Sequence, residues 1–150
     1  MLKLFKKKEM PPFIDFIKGH FGSNIVLNGV GVGENLSDLF IKNLAINKLY
    51  LVDCEVSKNK DKVVCIEKKP LECYDEIPCN IHFVYINKKD SYDIKELLIF
   101  YLPKLMRNGI IGGNHFSGSD MKEVSFLTEF CRRSQLQLKG EGDYWWIIKT

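Results

Sequence analysis

The sequence is poor in three features that define a class early. Long apolar runs are missing: stretches such as Leu97–Leu105 fall far short of the ~20 residues a membrane span requires. Paired-cysteine signatures are missing too. Cys54, Cys65, Cys73, Cys79 and Cys131 contain no C-x-x-C, and five thiols cannot all pair. Charge of one sign is scarce, with 22 Lys and Arg against 19 Asp and Glu and a net charge of +3. The first lack argues against a membrane protein. The second points to free thiols in a reducing compartment. The third is too mild a surplus for a nucleic-acid binder. The opening Met1-Leu2-Lys3-Leu4-Phe5 runs at once into lysines, so no secretory h-region is expected there. A cytoplasmic location, with neither nucleic acid nor membrane as partner, is the resulting expectation. Most of the basic surplus sits in Lys3, Lys6, Lys7 and Lys8, so residues 1–10 read as a flexible basic lead-in. Residues 11–150 then read as one domain, with 45% hydrophobic residues over the whole chain supplying its core.

What is present centres on residues 25–53, IVLNGVGVGENLSDLFIKNLAINKLYLVD. An apolar run at Ile25–Leu27 leads into Gly29, Gly31 and Gly33. A helical pattern follows in Leu36, Leu39, Phe40, Asn43 and Leu44, and a second apolar run, Leu49–Val52, ends on Asp53. Strand, glycine turn, helix, strand and acid make half of a nucleotide-type α/β site. Bare backbone at the glycines lets a ligand rest against the chain, and the helix start behind them favours an anionic group. Asp53, 20 residues after Gly33, is placed to accept hydrogen bonds from a ribose diol. The hollow between the glycines and Asp53 is therefore expected to stand open; a side chain already filling it would leave a fold without this chemistry. Glu34 takes the last glycine position of G-x-G-x-x-G, where a carboxylate would repel a pyrophosphate, so a nucleoside ligand without phosphates is favoured. The alternative is a glycine-rich turn that holds nothing.

The remaining chain supplies the frame. Pro11-Pro12 opens a short helix over 13–18. Cys54–Lys62 reads as a loop where a parallel α/β protein would insert a helix. Strands are predicted at Val63–Ile66, Ile81–Ile86, Ile110–Gly113, Leu136–Leu138 and Tyr144–Ile148, the last two joined as a hairpin by Lys139–Asp143. Helices are predicted at Tyr92–Leu105, stopped by Gly109, and at Asp120–Ser134, with a short one near Leu71–Tyr74. The fold expected is α/β: a doubly wound, Rossmann-like sheet of about seven strands, mostly parallel with an antiparallel last strand, its helix after Asp53 missing or very short. The switch point then lies between the first and fourth strands. His115, in the loop after the fifth strand, faces that edge as a candidate general base; the alternative is a loop histidine bonded to backbone. Asp90 and Tyr92 are placed to orient an acceptor, although Asp90 also reads as the cap of the following helix. Trp145 and Trp146 must point to opposite faces, one into the core and the other toward a subunit contact, so a homodimer is an expectation.

These elements resemble the class I SAM-dependent (S-adenosylmethionine-dependent) methyltransferases, in particular the small O-methyltransferase-like branch. The likeness rests on NGVGVG (28–33), LYLVD (49–53), FVYIN (83–87) with Ser91-Tyr92, LPKLMRNGIIGGNHF (102–116) and YWWIIK (144–149). It implies S-adenosylmethionine as cofactor. Asn28, Gly29, Gly31 and Gly33 would line its methionine part and Asp53 would hold its ribose. Glu67, beside Lys68 and Lys69, would stand on the adenine side, with Asn87 at the end of the fourth strand. The chain departs from the pattern at Leu27, where an acid is usual. It departs again at Asn87, Asn114 and His115, where metal-dependent members carry aspartates, so no metal site is expected. The function implied is metal-independent methyl transfer to a small molecule, such as one bearing a hydroxyl. The alternative is an inactive methyltransferase-like domain that serves as a binding or regulatory module. An NAD-type domain is disfavoured by Glu34 and by the short chain.

Overall fold

The computed structural model describes residues 11–33, 36–53, 62–87, 89, 91–114 and 121–150, except for the side chain of Met121. Its elements are α1 (Pro12–Phe21), β1 (Leu27–Val32), α2 (Ser37–Asn43), β2 (Ile46–Val52), β3 (Val63–Ile66), β4 (Ile81–Ile86), α3 (Ile94–Tyr101), β5 (Leu105–Gly113), α4 (Met121–Ser134), β6 (Gln137–Glu141) and β7 (Tyr144–Ile148). The strands form one seven-stranded sheet in the order β3-β2-β1-β4-β5-β7-β6. All neighbours pair parallel except β7, which runs antiparallel to both β5 and β6. The doubly wound sheet and its reversed last strand are as the sequence led one to expect, with the order reversing at β1 between β2 and β4.

Alternation along the strands sends side chains to two separate cores. On one face Phe83 and Tyr85 of β4 meet Phe13, Ile14 and Ile17 of α1 and Phe40 of α2. On the other, Val84 and Ile86 meet Leu97, Leu98 and Tyr101 of α3 and Leu127 and Cys131 of α4. The first core is aromatic, with Phe83 5.2 Å from Phe40 and 6.3 Å from Phe13 between ring centroids. Trp145 and Trp146 do take opposite faces, but both are buried within the chain, at 3% and 6% exposure. Neither is offered as a subunit contact, which removes the reason for expecting one there.

Four local expectations need correction. β1 starts at Leu27, leaving Ile25 and Val26 44% and 56% exposed, and it continues through Gly29 and Gly31 to Val32. α3 is shorter than predicted: Asp93 caps it by accepting from the N–H groups of Lys95 and Glu96, and Pro103 turns its end into a 3-10 segment, Leu102–Lys104. β5 begins at Leu105 rather than Ile110, because a bulge lets residues 106–109 loop out between the pairings Ile81–Leu105 and Phe83–Ile110. Gly109 is thus a strand residue and not a helix stop. The short helix near 71–74 is two 3-10 turns, Pro70–Glu72 and Tyr74–Glu76. Cys65, Cys73, Cys79 and Cys131 are free thiols. No described helix is long and apolar enough to cross a membrane. The loop expected after Asp53 falls on 54–61, outside the described residues, as does the lead-in 1–10.

Candidate functional site at the strand ends

The site lies where β1, β2 and β4 end together. The Gly33 N–H donates to Val52 O at 2.9 Å and the Asn87 N–H to Val32 O at 2.8 Å, so the chain leaves the sheet at one level. Gly33 alone makes the turn. Its φ is +98°, and a Cβ there would stand 2.5 Å from Asn87 O and 3.0 Å from the Tyr92 hydroxyl. Next to it, Asp53 follows β2 with φ 53°. The Asp53 carboxylate accepts a hydrogen bond from the Tyr92 hydroxyl at 2.6 Å. Lys89 Nζ donates to Asp53 O at 2.9 Å and stands 3.7 Å from Oδ2. The hollow between Gly33 and Asp53 is therefore not open: the Tyr92 side chain fills it.

Beyond Asp53 a pocket of about 540 Å³ opens toward the loop after β3, within the ~300–1,000 Å³ usual for small-molecule sites. Asp53, Lys89 and Tyr92 line one side, and Pro70, Leu71 and Leu97 supply apolar walls. The segment 70–77, whose Pro70, Leu71 and Glu72 line the pocket, is tied down from below. The Tyr101 hydroxyl donates to Pro70 O at 2.9 Å, and burial drives its phenol far above the ordinary range, which keeps it a donor. Cys73 Sγ donates to the same carbonyl at 3.3 Å, its thiol also pushed up by burial. Lys104, only 4% exposed, donates to Tyr74 O at 2.6 Å and Ile77 O at 2.8 Å, with its ammonium 3.5 Å from the centroid of the Tyr74 ring.

The sequence-derived residues separate into those this edge gathers and those it does not. Gly33, Asp53 and Asn87 meet there. Gly29 and Gly31 do not line a ligand path. A Cβ on Gly29 would lie 2.1 Å from the Phe83 ring, so Gly29 serves the packing of the sheet, and one on Gly31 would lie 3.2 Å from Leu51 Cδ2, so Gly31 faces the same core with room to spare once that tip shifts. Asn28 sits four residues before the end of β1, ~13 Å back along the strand. There its Oδ1 accepts from Asn47 and its N–H donates to His82 Nδ1, so it belongs to the opposite edge of the sheet. Glu67 is exposed past β3 and is not among the residues lining the pocket. Asn114 Nδ2 donates to Asn87 Oδ1, joining two carboxamides, which lack the charge a hard divalent cation seeks. Among the described residues no three or more His, Cys, Asp or Glu side chains gather to hold a metal. His115, Glu34 and Asp90 lie outside the described residues. Sequence reading missed Lys89, which stands in a run of like residues with no distinguishing signal. It placed Tyr92 at this edge but not against Asp53.

No protein-family model matches the chain, and no curated protein does. Solved structures do match. The MycE methyltransferase of the mycinamycin biosynthetic pathway, crystallised with Mg and SAH (S-adenosylhomocysteine), superposes with a TM-score of 0.69 at 11% identity over 91% of this chain and 46% of its own. A putative caffeoyl-CoA O-methyltransferase from Staphylococcus aureus gives 0.70 at 16% identity, covering 93% of this chain and 83% of that one. Precorrin-6y C5,15-methyltransferase from Geobacter metallireducens gives 0.64 at 12%, covering 95% and 90%. The fold is thus the one used by class I SAM-dependent methyltransferases, as a likeness of fold at low sequence identity. The chain spans about half the length of MycE, covering 46% to 49% of it in three crystal structures.

Proposed function

We propose that this chain is a SAM-dependent methyltransferase domain acting on a hydroxyl of a small molecule without a metal ion. The observation that carries the reading is the Asp53 carboxylate at the end of β2, on the rim of the 540 Å³ pocket beside the switch point. A carboxylate there is the acceptor a ribose diol needs, and Pro70, Leu71 and Leu97 offer the apolar contacts a purine needs. When bound, S-adenosylmethionine supplies an electrophilic methyl group on its sulfonium. The protein's share is to hold the nucleoside at Asp53, to exclude water with the 70–77 wall, and to take the acceptor's proton. His115 is the residue assigned to that last task. The paired carboxamides Asn87 and Asn114 support the metal-free part of the reading, because amides lack the charge a hard divalent cation seeks.

Calorimetric titration with S-adenosylmethionine and S-adenosylhomocysteine tests the proposal. Saturable heat is expected, with affinity reduced at least ~10-fold in Asp53→Ala, the scale on which a hydrogen-bonding carboxylate contributes. Absence of heat at millimolar ligand would overturn it. His115→Ala is expected to slow methyl transfer from labelled cofactor while leaving binding intact.

A second reading, a binding module without catalysis, draws on the Tyr92 side chain that fills the hollow between Gly33 and Asp53 and on the burial of Gly29 and Gly31 within β1, which leaves Gly33 alone at the turn. Cofactor binding without transfer to any hydroxyl acceptor in a broad panel would favour it.

A further inference from the structure

Tyr92 stands in the space the proposed ligand would need. Its hydroxyl lies 2.6 Å from Asp53 Oδ2, and its hydroxyl and Cε2 lie 3.0 and 3.1 Å from where a Cβ on Gly33 would be. The ring thus spans the gap between the ends of two neighbouring strands, laid against the bare backbone of one and bonded to the carboxylate of the other. Its position is built in rather than incidental. The Tyr92 N–H donates to Lys89 O at 2.9 Å, and the Lys89 ammonium, itself on Asp53, sits 5.9 Å from the centre of the ring. The tyrosine is half-buried and makes one wall of the pocket.

We propose that Tyr92 is the specificity-determining residue of this site: its hydroxyl holds the acceptor that a ribose diol would use, and its ring bars the way from the pocket to Gly33. The inference rests on the reading of Asp53 as a nucleoside-binding carboxylate. With Tyr92 in place, the pocket has room for a purine nucleoside that stops at its 5′ carbon. A ligand carrying a longer 5′ arm, such as the aminobutyrate chain of S-adenosylhomocysteine, must also displace the ring. The two halves of the side chain therefore act on different parts of a ligand. The hydroxyl competes with the diol for Asp53, and the ring selects on what is attached at the 5′ position.

The magnitude of the first effect follows from the bond it breaks. A hydrogen bond to a carboxylate contributes about ten- to a hundredfold in an equilibrium constant, and Asp53 is one-third exposed, which places this bond near the lower figure. Lys89 Nζ stands 3.7 Å from Asp53 Oδ2, so Tyr92 is not the sole partner of the carboxylate.

The test is calorimetric titration of adenosine and S-adenosylhomocysteine into the wild type, Tyr92→Phe and Tyr92→Ala, with a thermal melt of each protein to establish that it is folded. Tyr92→Phe keeps the ring and loses the competing hydroxyl, so about tenfold tighter binding of both ligands is expected. Tyr92→Ala also opens the path to Gly33, so its gain for S-adenosylhomocysteine should exceed its gain for adenosine. A near-ultraviolet tyrosine difference signal on ligand addition, present in the wild type and lost in Tyr92→Phe, should accompany binding. Equal affinities in wild type and Tyr92→Phe would overturn the competition while leaving nucleoside binding itself standing. Equal gains for both ligands in Tyr92→Ala would overturn the selection at the 5′ position. Failure of all three folded proteins to bind either ligand would remove both this inference and the reading of Asp53 beneath it.

Discussion

Gly29 offers the sharpest test of why this chain carries glycines in its first strand. A Cβ at that position would lie 2.1, 2.5 and 2.6 Å from three carbons of the Phe83 ring, against the ~3.5 Å at which carbon atoms rest without repulsion. The ring would have to withdraw by more than ~1 Å. It is fully buried and enclosed by Phe13 and Phe40, so it has nowhere to withdraw to. Gly29 is not in the left-handed region, so alanine meets no backbone penalty and the cost is one of packing alone. Overpacking typically costs about 1–3 kcal/mol, and Gly29→Ala should reach about 3 kcal/mol or more because its neighbours are locked. Gly31→Ala is the control. Its new Cβ meets only the flexible tip of Leu51, at 3.2 Å, and a change within about 1 kcal/mol is expected. Guanidinium unfolding of both variants gives the comparison. Adding Phe83→Leu to Gly29→Ala should recover at least about 1 kcal/mol relative to the sum of the single changes. A Gly29→Ala protein as stable as wild type but unable to bind a nucleoside would refute the reasoning, since it would make Gly29 a ligand-lining residue after all.

Two further outcomes concern Lys104, beneath the pocket wall, and His82, at the opposite edge of the sheet. Lys104→Met keeps the aliphatic stem but leaves Tyr74 O and Ile77 O without their donor, at about 1–3 kcal/mol for each orphaned carbonyl; a loss of about 2–6 kcal/mol with faster proteolysis in 70–77 is expected. A loss below about 1 kcal/mol would show that water replaces the ammonium freely. Burial holds the His82 imidazole below the ordinary histidine range. As the pH drops through ~6.5 the unfolded chain takes up the proton first, so stability present above that value is lost on the way down to the folded-state value. The denaturation midpoint should fall between pH 7.5 and 5.5 by more in the wild type than in His82→Gln, and equal falls would count against the assignment.

The order of strands and helices was legible in the sequence because side-chain periodicity encodes it. The unbroken apolar run at Ile81–Ile86 announces a strand buried on both faces, and the series around it leaves few topologies once crossovers are right-handed. Asp53 was legible for the same reason, as the first polar residue after an apolar strand. The end of β1 was not. Val30 and Val32 alternate as strand residues do, but two valines among three glycines fit a turn as readily. What settles it is pairing with β2 and β4 along Gly29–Val32, together with the space Phe83 takes from the other side. Nor could the sequence say that Tyr92 closes the hollow, since that contact joins residues 39 positions apart whose meeting depends on where two strands stop. The sequence by itself determined which segments would form strands and that Asp53 would close the second of them. Only the tertiary structure decided which glycine turns the chain beside Tyr92 and which packs against a phenyl ring, because that is a matter of volume between elements, and volume is set by the neighbours.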